Sequence, residues 1–428
     1  MDATTTPTTQ VATVKLLIGG KFVESKTTEW RDVVNPASQE VLARVPFATP
    51  AEVDAAVASA KDAFKTWRKT PIGARARIFL KYQQLIRENM SELAAILTAE
   101  QGKTLPDAEG DVFRGLEVVE HASAIGNLQL GEMANNVANG VDTYTLLQPL
   151  GVCAGITPFN FPAMIPLWMF PMAIVTGNTF VLKPSEQDPM VTMRLCELAL
   201  QAGIPAGVLN VIHGGEAVVN AICDHKDIKA ISFVGSTKVG THVYNRAIPT
   251  GKRVQCMLGA KNHAIVMPDA NKEQTLNALA GAGFGAAGQR CMAVSVAVLV
   301  GDAQQWVPDL VAKARTLKIG AGTEQGVDVG PLVSCAAQET SGPTSTPFSV
   351  PAPILSVLAL ATRSGTHFCA SPTSTATDTA MQRCPAAPKP APASALSVCS
   401  LLASGMTMAW FFAPIMHCTR LPVGMARL

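Results

Sequence analysis

Between Val152 and Met257 short apolar runs alternate with amphipathic stretches. The runs Val152–Ile156, Asn178–Leu182, Val208–Ile212, Ala230–Val234 and Arg253–Met257 read as strands. Between them, Met190–Gln201, Glu216–Cys223 and Thr237–Ala247 carry apolar side chains at helical spacing. Strands alternating with helices predict an α/β fold built on a doubly wound parallel sheet. Such sheets bind ligands beyond the carboxyl ends of their strands. Phe161 to Val175 is apolar but carries Pro162, Pro166 and Pro171. It is too short and too broken to span a membrane, so it is expected to be a buried helix.

Upstream, residues 1–13 read as a disordered leader, and Leu16–Val23 as a hairpin about Gly19-Gly20. Val33-Val34 and Val41–Val45 suggest short strands. Thr49-Pro50-Ala51-Glu52 opens a helix by side-chain capping, with Val53, Ala56, Val57, Ala60, Phe64 and Trp67 on one stripe. Two further helices are expected over Ile78–Ala99 and Leu105–Leu130. Downstream, Ala264–Met267 and Val294–Val300 read as strands, with helices before Cys291 and over Val307–Leu317.

Composition narrows the function. The 428 residues exceed one ordinary core, so at least two domains are expected. A formal net charge of +2 gives no electrostatic basis for binding nucleic acid. Ten scattered cysteines show no Cys-x-x-Cys pair, and seven histidines show no His-Glu-x-x-His spacing, so no metal site is expected. A reducing compartment fits these cysteines best. Met1–Gln10 resembles neither a secretory signal nor a transit peptide.

Candidate chemistry gathers at a few turns. In Gly281–Ala293, small residues precede Gln289, Arg290 and Cys291. Small side chains let backbone approach a ligand, and a thiolate there is a strong nucleophile. A Gly-rich helix end with a structural cysteine fits the stretch equally. Three strand ends carry polar or Gly-rich punctuation: Thr157–Pro162, Lys183–Glu186 and Phe233–Ser236. Gly235-Ser236 opening a helix suits a phosphate, and Lys183 and Glu186 could bond ribose hydroxyls. Each taken singly also reads as a turn or cap. None carries a Gly-x-Gly-x-x-Gly fingerprint.

These stretches, with Leu258-Gly259-Ala260-Lys261-Asn262-His263 between the last two, stand in the order found in the aldehyde dehydrogenase superfamily. Over roughly Val14–Ala337 the chain resembles its CoA-acylating semialdehyde branch. The resemblance implies an NAD-binding domain over 14–130 and 150–257, a bridging and oligomerisation hairpin over 131–149, and a partial catalytic domain over 258–337. It implies that Cys291 attacks an aldehyde, with the Asn160 amide and the Cys291 N–H as oxyanion hole. Thr157, Phe159, Lys183, Glu186, Gly235 and Ser236 correspond to the NAD-binding positions. Arg290 and Arg114 correspond to positions that hold a substrate carboxylate bidentately, although Arg114 also reads as a surface helix arginine.

Met257 stands where hydrolytic members carry a glutamate that activates water. A thioether takes no proton, whereas a thiol needs less help than water to attack a thioester. Met257 thus favours an acyl-CoA product, and the resemblance implies NAD-dependent oxidation of methylmalonate or malonate semialdehyde to propionyl-CoA or acetyl-CoA, with coenzyme A as co-substrate. Hydrolytic oxidation of another small aldehyde is the alternative that Met257 disfavours. The family implies a homo-oligomer and, in eukaryotes, a mitochondrial enzyme; a cytoplasmic one is the alternative.

The resemblance stops near Ala337. Residues 338–428 are rich in Pro, Ser, Thr and Ala and read as low-complexity, as an alternative or frame-shifted C-terminus would. The family's Glu-x-Phe-Gly-Pro motif, whose glutamate holds the nicotinamide ribose, does not occur. An inactive chain that binds NAD or full-length subunits is therefore a further expectation. Ala393–Cys418 has no charged residue, but its Pro414 and scattered polar residues favour loose packing over a membrane span.

Overall fold

The computed structural model describes residues 11–334 and the strand segments 356–360, 368–370 and 416–423. It opens with five short strands, β1 (Ala12–Thr13), β2 (Leu16–Ile18), β3 (Lys21–Val23), β4 (Trp30–Val34) and β5 (Val41–Pro46). Four helices follow: α1 (Pro50–Trp67), α2 (Ile72–Glu88), α3 (Met90–Gln101) and α4 (Leu105–Ser123). A hairpin of β6 (Met133–Ala138) and β7 (Val141–Pro149) leads into β8 (Val152–Ile156), α5 (Met164–Val175), β9 (Thr179–Lys183), α6 (Met190–Ala202) and β10 (Leu209–Val211). Next come α7 (Glu216–Asp224), β11 (Ile228–Val234), α8 (Thr237–Ala247), β12 (Arg253–Met257) and β13 (Asn262–Val266). The chain continues through α9 (Lys272–Phe284), β14 (Val294–Val300) and α10 (Val307–Arg315) to β15 (Ser356–Leu360), β16 (Phe368–Ala370) and β17 (Met416–Val423).

Seven strands form one sheet in the order β12-β11-β8-β9-β10-β2-β3. The five from β12 to β10 are parallel, and the N-terminal hairpin adds two antiparallel strands at the edge. Alternation along the strands explains the double winding. Phe180 and Leu182 of β9 enter the core beneath α2–α6, while Val181 enters the core beneath α1, α7 and α8. On β8, Cys153 faces the first core and Val152, Ala154 and Ile156 the second. A strand buried on both faces is expected to be largely apolar, as β8 and the middle of β9 are, with Thr179 and Lys183 at the ends of β9.

A separate sheet, β13-β14-β15-β16, packs on α9 and α10 around Val266, Leu276, Leu299 and Leu310. β17 pairs antiparallel with β7 over Met416–Val423. The low-complexity reading of 338–428 therefore meets three strands, and the rest of that stretch lies outside the described residues. No described helix is long and apolar enough to cross a membrane.

Three expectations need correction. Ala12–Thr13 pairs with β5, so the leader is shorter than 1–13, and residues 1–10 lie outside the described residues. The helix expected over 78–99 is two helices, because the Asn89 amide donates to the Leu85 carbonyl at 2.7 Å and closes α2. Asparagine competes with helix bonds in this way. The helix expected over 105–130 ends at Ser123 and gives way to a 3₁₀ turn.

A charge crosses the first core. Both oxygens of the fully buried Glu100 on α3 accept from the first N–H groups of α6, those of Met190 and Val191, each at 2.7 Å. The helix dipole favours a carboxylate there, yet burial outweighs these bonds and pushes the Glu100 carboxyl up to about 8. Asp188 is moved the same way, by burial and then by Glu100. A carboxyl whose folded pKa exceeds its unfolded one binds a proton on folding. Its stability contribution is full below the unfolded value and is lost as pH rises through the folded one. Thermal melts from pH 5 to 8 should therefore show a decline of several degrees in Tm, and Glu100→Gln should flatten it. An equal decline in the variant would exclude Glu100 as its source.

Candidate active site

The carboxyl ends of β8, β9, β11 and β12 open into a cleft of about 860 Å³. Two chain segments beyond the sheet close it: the turn from Pro158 to Asn160 and the loop from Gly288 to Cys291. Thr157, Phe159, Asn160, Lys183, Glu186, Gly235, Ser236, Met257, Arg290 and Cys291 all line it. Sequence positions more than 130 apart thus meet in one space.

The β9 end is charged. Lys183 Nζ donates to Glu186 Oε2 at 2.8 Å, and Arg31 stands 3.5 Å from the other oxygen. Burial raises the Glu186 carboxyl, but Lys183, a backbone N–H and Arg31 together hold it below the usual range. The β11 end supplies the first turn of α8. Ser236 caps that helix, its Oγ accepting from the Val239 N–H at 3.3 Å, which leaves the hydroxyl proton free to donate. A Cβ on Gly235 would lie 2.6 Å from the Phe233 ring, and one on Gly240 would lie 2.0 Å from Leu258. Only glycine at these places lets α8 lie this close to the sheet.

A dinucleotide fits these residues on two observations. Thr157 Oγ1 is buried and has no hydrogen-bond partner among the described residues. The first N–H groups of α8, beside Gly235 and Ser236 in the cleft lining, have no intrahelical acceptor, which suits a phosphate. His242 also lines the cleft, with Nε2 2.6 Å from Asn220 Oδ1.

Opposite the sheet, Cys291 follows a turn in which Ala286 and Ala287 both take left-handed φ values, 49° and 56°. Each costs about 1 kcal/mol for a residue with a side chain. The turn is held from outside. Asp107 on α4 accepts from the Ala286 N–H at 2.9 Å and pairs with Arg290 through its other oxygen. The Asn262 amide bonds the carbonyls of Cys291 and Ala293 at 2.8 and 3.0 Å. Burial pushes the Cys291 thiol up, while the N–H groups of Cys291 and Met292 pull the other way.

Asn160 faces the same space. Its side-chain amide has no hydrogen-bond partner among the described residues, while its carbonyl oxygen accepts from Lys103 Nζ at 2.8 Å. The Met257 carbonyl accepts from the Gly235 N–H at 3.1 Å, and its side chain packs against the main core, as Cys291 does.

The two arginines sit differently from expectation. Arg290 lines the cleft but is paired with Asp107. Arg114 lies outside the cleft lining, on α4, bonded to Glu117 at 2.8 Å and mostly exposed. It stands seven residues beyond Asp107 on the same helix side, about 10 Å along the axis. Lys103, Asp107, Asp111 and Asn262 were not legible as site residues. Asn262 alone had a signal, its place in the segment beside Met257.

Residues 22–342 match the model of the Aldehyde dehydrogenase family. A human methylmalonate-semialdehyde/malonate-semialdehyde dehydrogenase, acylating and mitochondrial, is 60% identical over 329 residues, 77% of this chain and 62% of that protein. An Arabidopsis thaliana methylmalonate-semialdehyde dehydrogenase, acylating and mitochondrial, is 60% identical over 323 residues, 76% of this chain and 53% of that one. The chain thus spans less than two thirds of the length of either relative. Among solved structures, a putative methylmalonate-semialdehyde dehydrogenase from Sinorhizobium meliloti, complexed with NAD, superposes with a TM-score of 0.75 at 48% identity, covering 78% of this chain and 68% of that one. A methylmalonate-semialdehyde dehydrogenase from Oceanimonas doudoroffii gives 0.78 at 39% identity, covering 82% and 81%. With its sheet, its strand-end turns and most of its length matched, the chain belongs to the aldehyde dehydrogenase family.

Proposed function

We propose that this cleft oxidises a small semialdehyde, methylmalonate or malonate semialdehyde, with NAD as hydride acceptor and coenzyme A as acyl acceptor. The observation that carries this reading is the meeting of Cys291 and an Asn160 amide without a partner among the described residues with the Lys183, Glu186 and Gly235-Ser236 turns, with Met257 where a base would stand. The acylating relatives support it.

The Cys291 thiolate adds to the aldehyde carbon, and the carbonyl π pair moves to oxygen. The Asn160 amide and the Cys291 N–H bond that oxygen as its charge develops. NAD, held by Thr157, Phe159, Lys183, Glu186, Gly235 and Ser236, supplies the hydride sink when bound. The acyl group then sits on Sγ as a thioester. A carboxylate β to that thioester can leave as carbon dioxide, its electron pair delocalising into the thioester carbonyl, and a proton replaces it. The coenzyme A thiolate then displaces Cys291, which leaves as thiolate, and no side-chain base is required. Arg290 is the cation placed to hold the substrate carboxylate, in exchange for Asp107. By kinship with the mitochondrial relatives, the same compartment is proposed here.

The test is NADH formation by the purified full chain, with and without coenzyme A. At least a tenfold dependence on coenzyme A is expected. Equal rates without it would point to hydrolysis. A second reading, a chain that binds NAD without turnover, is favoured by the Arg290–Asp107 pair and the outlying Arg114. NAD binding with no NADH formed would establish it.

A further inference from the structure

The turn that carries Asn160 has little regular structure of its own between β8 and α5. An ion pair from elsewhere in the chain holds it. Lys103, between α3 and α4, and Asp111, on α4, have side chains 1% and 0% exposed, with Nζ 2.7 Å from Oδ2. The same Nζ donates to the Asn160 carbonyl at 2.8 Å and stands 4.5 Å from the centroid of the Phe161 ring. The second Asp111 oxygen accepts from the Met164 N–H at 2.7 Å. The pair therefore grips both ends of residues 160–164.

The pair is itself fixed from behind. The Gln101 side chain accepts from the Lys103 N–H at 3.1 Å. A Cβ on Gly322 would lie 2.3 Å from the Lys103 carbonyl oxygen, and one on Gly330 would lie 2.0 Å from that of Gly102. Burying two charges this deeply is costly, and apolar residues of similar volume often stabilise a fold at least as well. A gain in stability is therefore weak grounds for the pair, and its contacts with residues 160–164 point elsewhere.

We infer that Lys103 and Asp111 are positioning residues that aim the Asn160 amide at the carbonyl attacked by Cys291. The inference rests on the reading of Asn160 as an oxyanion donor. Holding the Asn160 carbonyl and the Phe161 ring fixes the peptide plane between them, and with it the direction of the Asn160 side chain. A donor displaced by about 1 Å can cost about 100-fold in rate.

The test is a mutant cycle in the full chain: Asn160→Ala, the paired Lys103→Met/Asp111→Leu, and all three together. Replacing both partners avoids leaving one buried charge unpaired. Two readouts are taken: coenzyme A-dependent NADH formation, and protection of Cys291 from iodoacetamide by the semialdehyde. Protection reports the thiohemiacetal and needs neither cofactor nor turnover. Asn160→Ala should lose about 100-fold or more, as loss of an oxyanion donor does. The paired variant should lose about 10- to 100-fold in kcat with KM for NAD unchanged, and the triple variant no more than Asn160→Ala alone. Losses that multiply, or a paired variant with wild-type kcat and protection, would overturn the inference while leaving Asn160 its role. A silent Asn160→Ala would remove the oxyanion reading and the inference with it. If melts show the paired variant unfolded, Lys103→Met/Asp111→Asn, which leaves no buried charge unpaired, keeps an acceptor for the Met164 N–H and still removes the donor to Asn160, takes its place in the cycle with the same outcomes.

Discussion

Cys291→Ala should abolish NADH formation, with a loss on the order of 10⁶-fold, the scale seen when a covalent enzyme loses its nucleophile. Alanine keeps the small volume that the turn requires, and the Asn262 amide still bonds the carbonyls of residues 291 and 293. NAD binding should therefore persist, since none of its proposed residues belongs to the Gly288–Cys291 loop. The wild-type thiol carries its own signature. Burial holds it above its usual value, so alkylation by iodoacetamide should accelerate as pH rises past the ordinary thiol range. Cys153 and Cys223 are pushed further, to about 12 and about 11, and should react more slowly. Peptide mass spectrometry of the alkylated chain reads all three. Turnover that survives in the alanine variant would exclude Cys291 as nucleophile, and preferential labelling of Cys153 would contradict the geometry.

Met257→Glu should convert the chain toward a hydrolase. The side chain lines the same cleft as Cys291, and its backbone is fixed by the Gly235 N–H. A carboxylate there would be partly buried, which raises its pKa toward neutrality and makes it a better base. General base catalysis is worth about 10²- to 10⁴-fold, so coenzyme A-independent NADH formation should rise by about 100-fold. Incorporation of ¹⁸O from labelled water into the product acid distinguishes hydrolysis from slow thiolysis. An unchanged requirement for coenzyme A would mean that the absent glutamate does not set the acyl acceptor.

The strand–helix alternation from Val152 to Met257 was legible because both sides of the sheet are largely buried, which makes the strands predominantly apolar. The cleft was legible because its turns are short, local and chemically distinctive: Thr157–Asn160, Lys183–Glu186 and Gly235-Ser236. What stayed hidden were polar residues inside helical segments. Glu100, Asp107 and Asp111 interrupt otherwise ordinary stripes, and a buried carboxylate looks the same in sequence as a solvated one. Their partners, Met190, Ala286 and Met164, lie between about 50 and 180 positions away, so no local spacing announces them. The break at Asn89 was missed for the opposite reason. It is local, but it depends on one side chain turning back to a carbonyl.

The N-terminal hairpin is made long before the strand it pairs with. Leu17 of β2 pairs with Val211 of β10, nearly 200 residues later. Leu16 and Leu17, fully buried in the finished molecule, therefore leave the ribosome long before their neighbour exists. At about 5–20 residues per second that interval lasts roughly 10–40 s, far beyond the microseconds a hairpin needs to form. This sheet edge is made first but closes only when β10 emerges, so the nascent chain must shelter an apolar ribbon through nearly half of its translation.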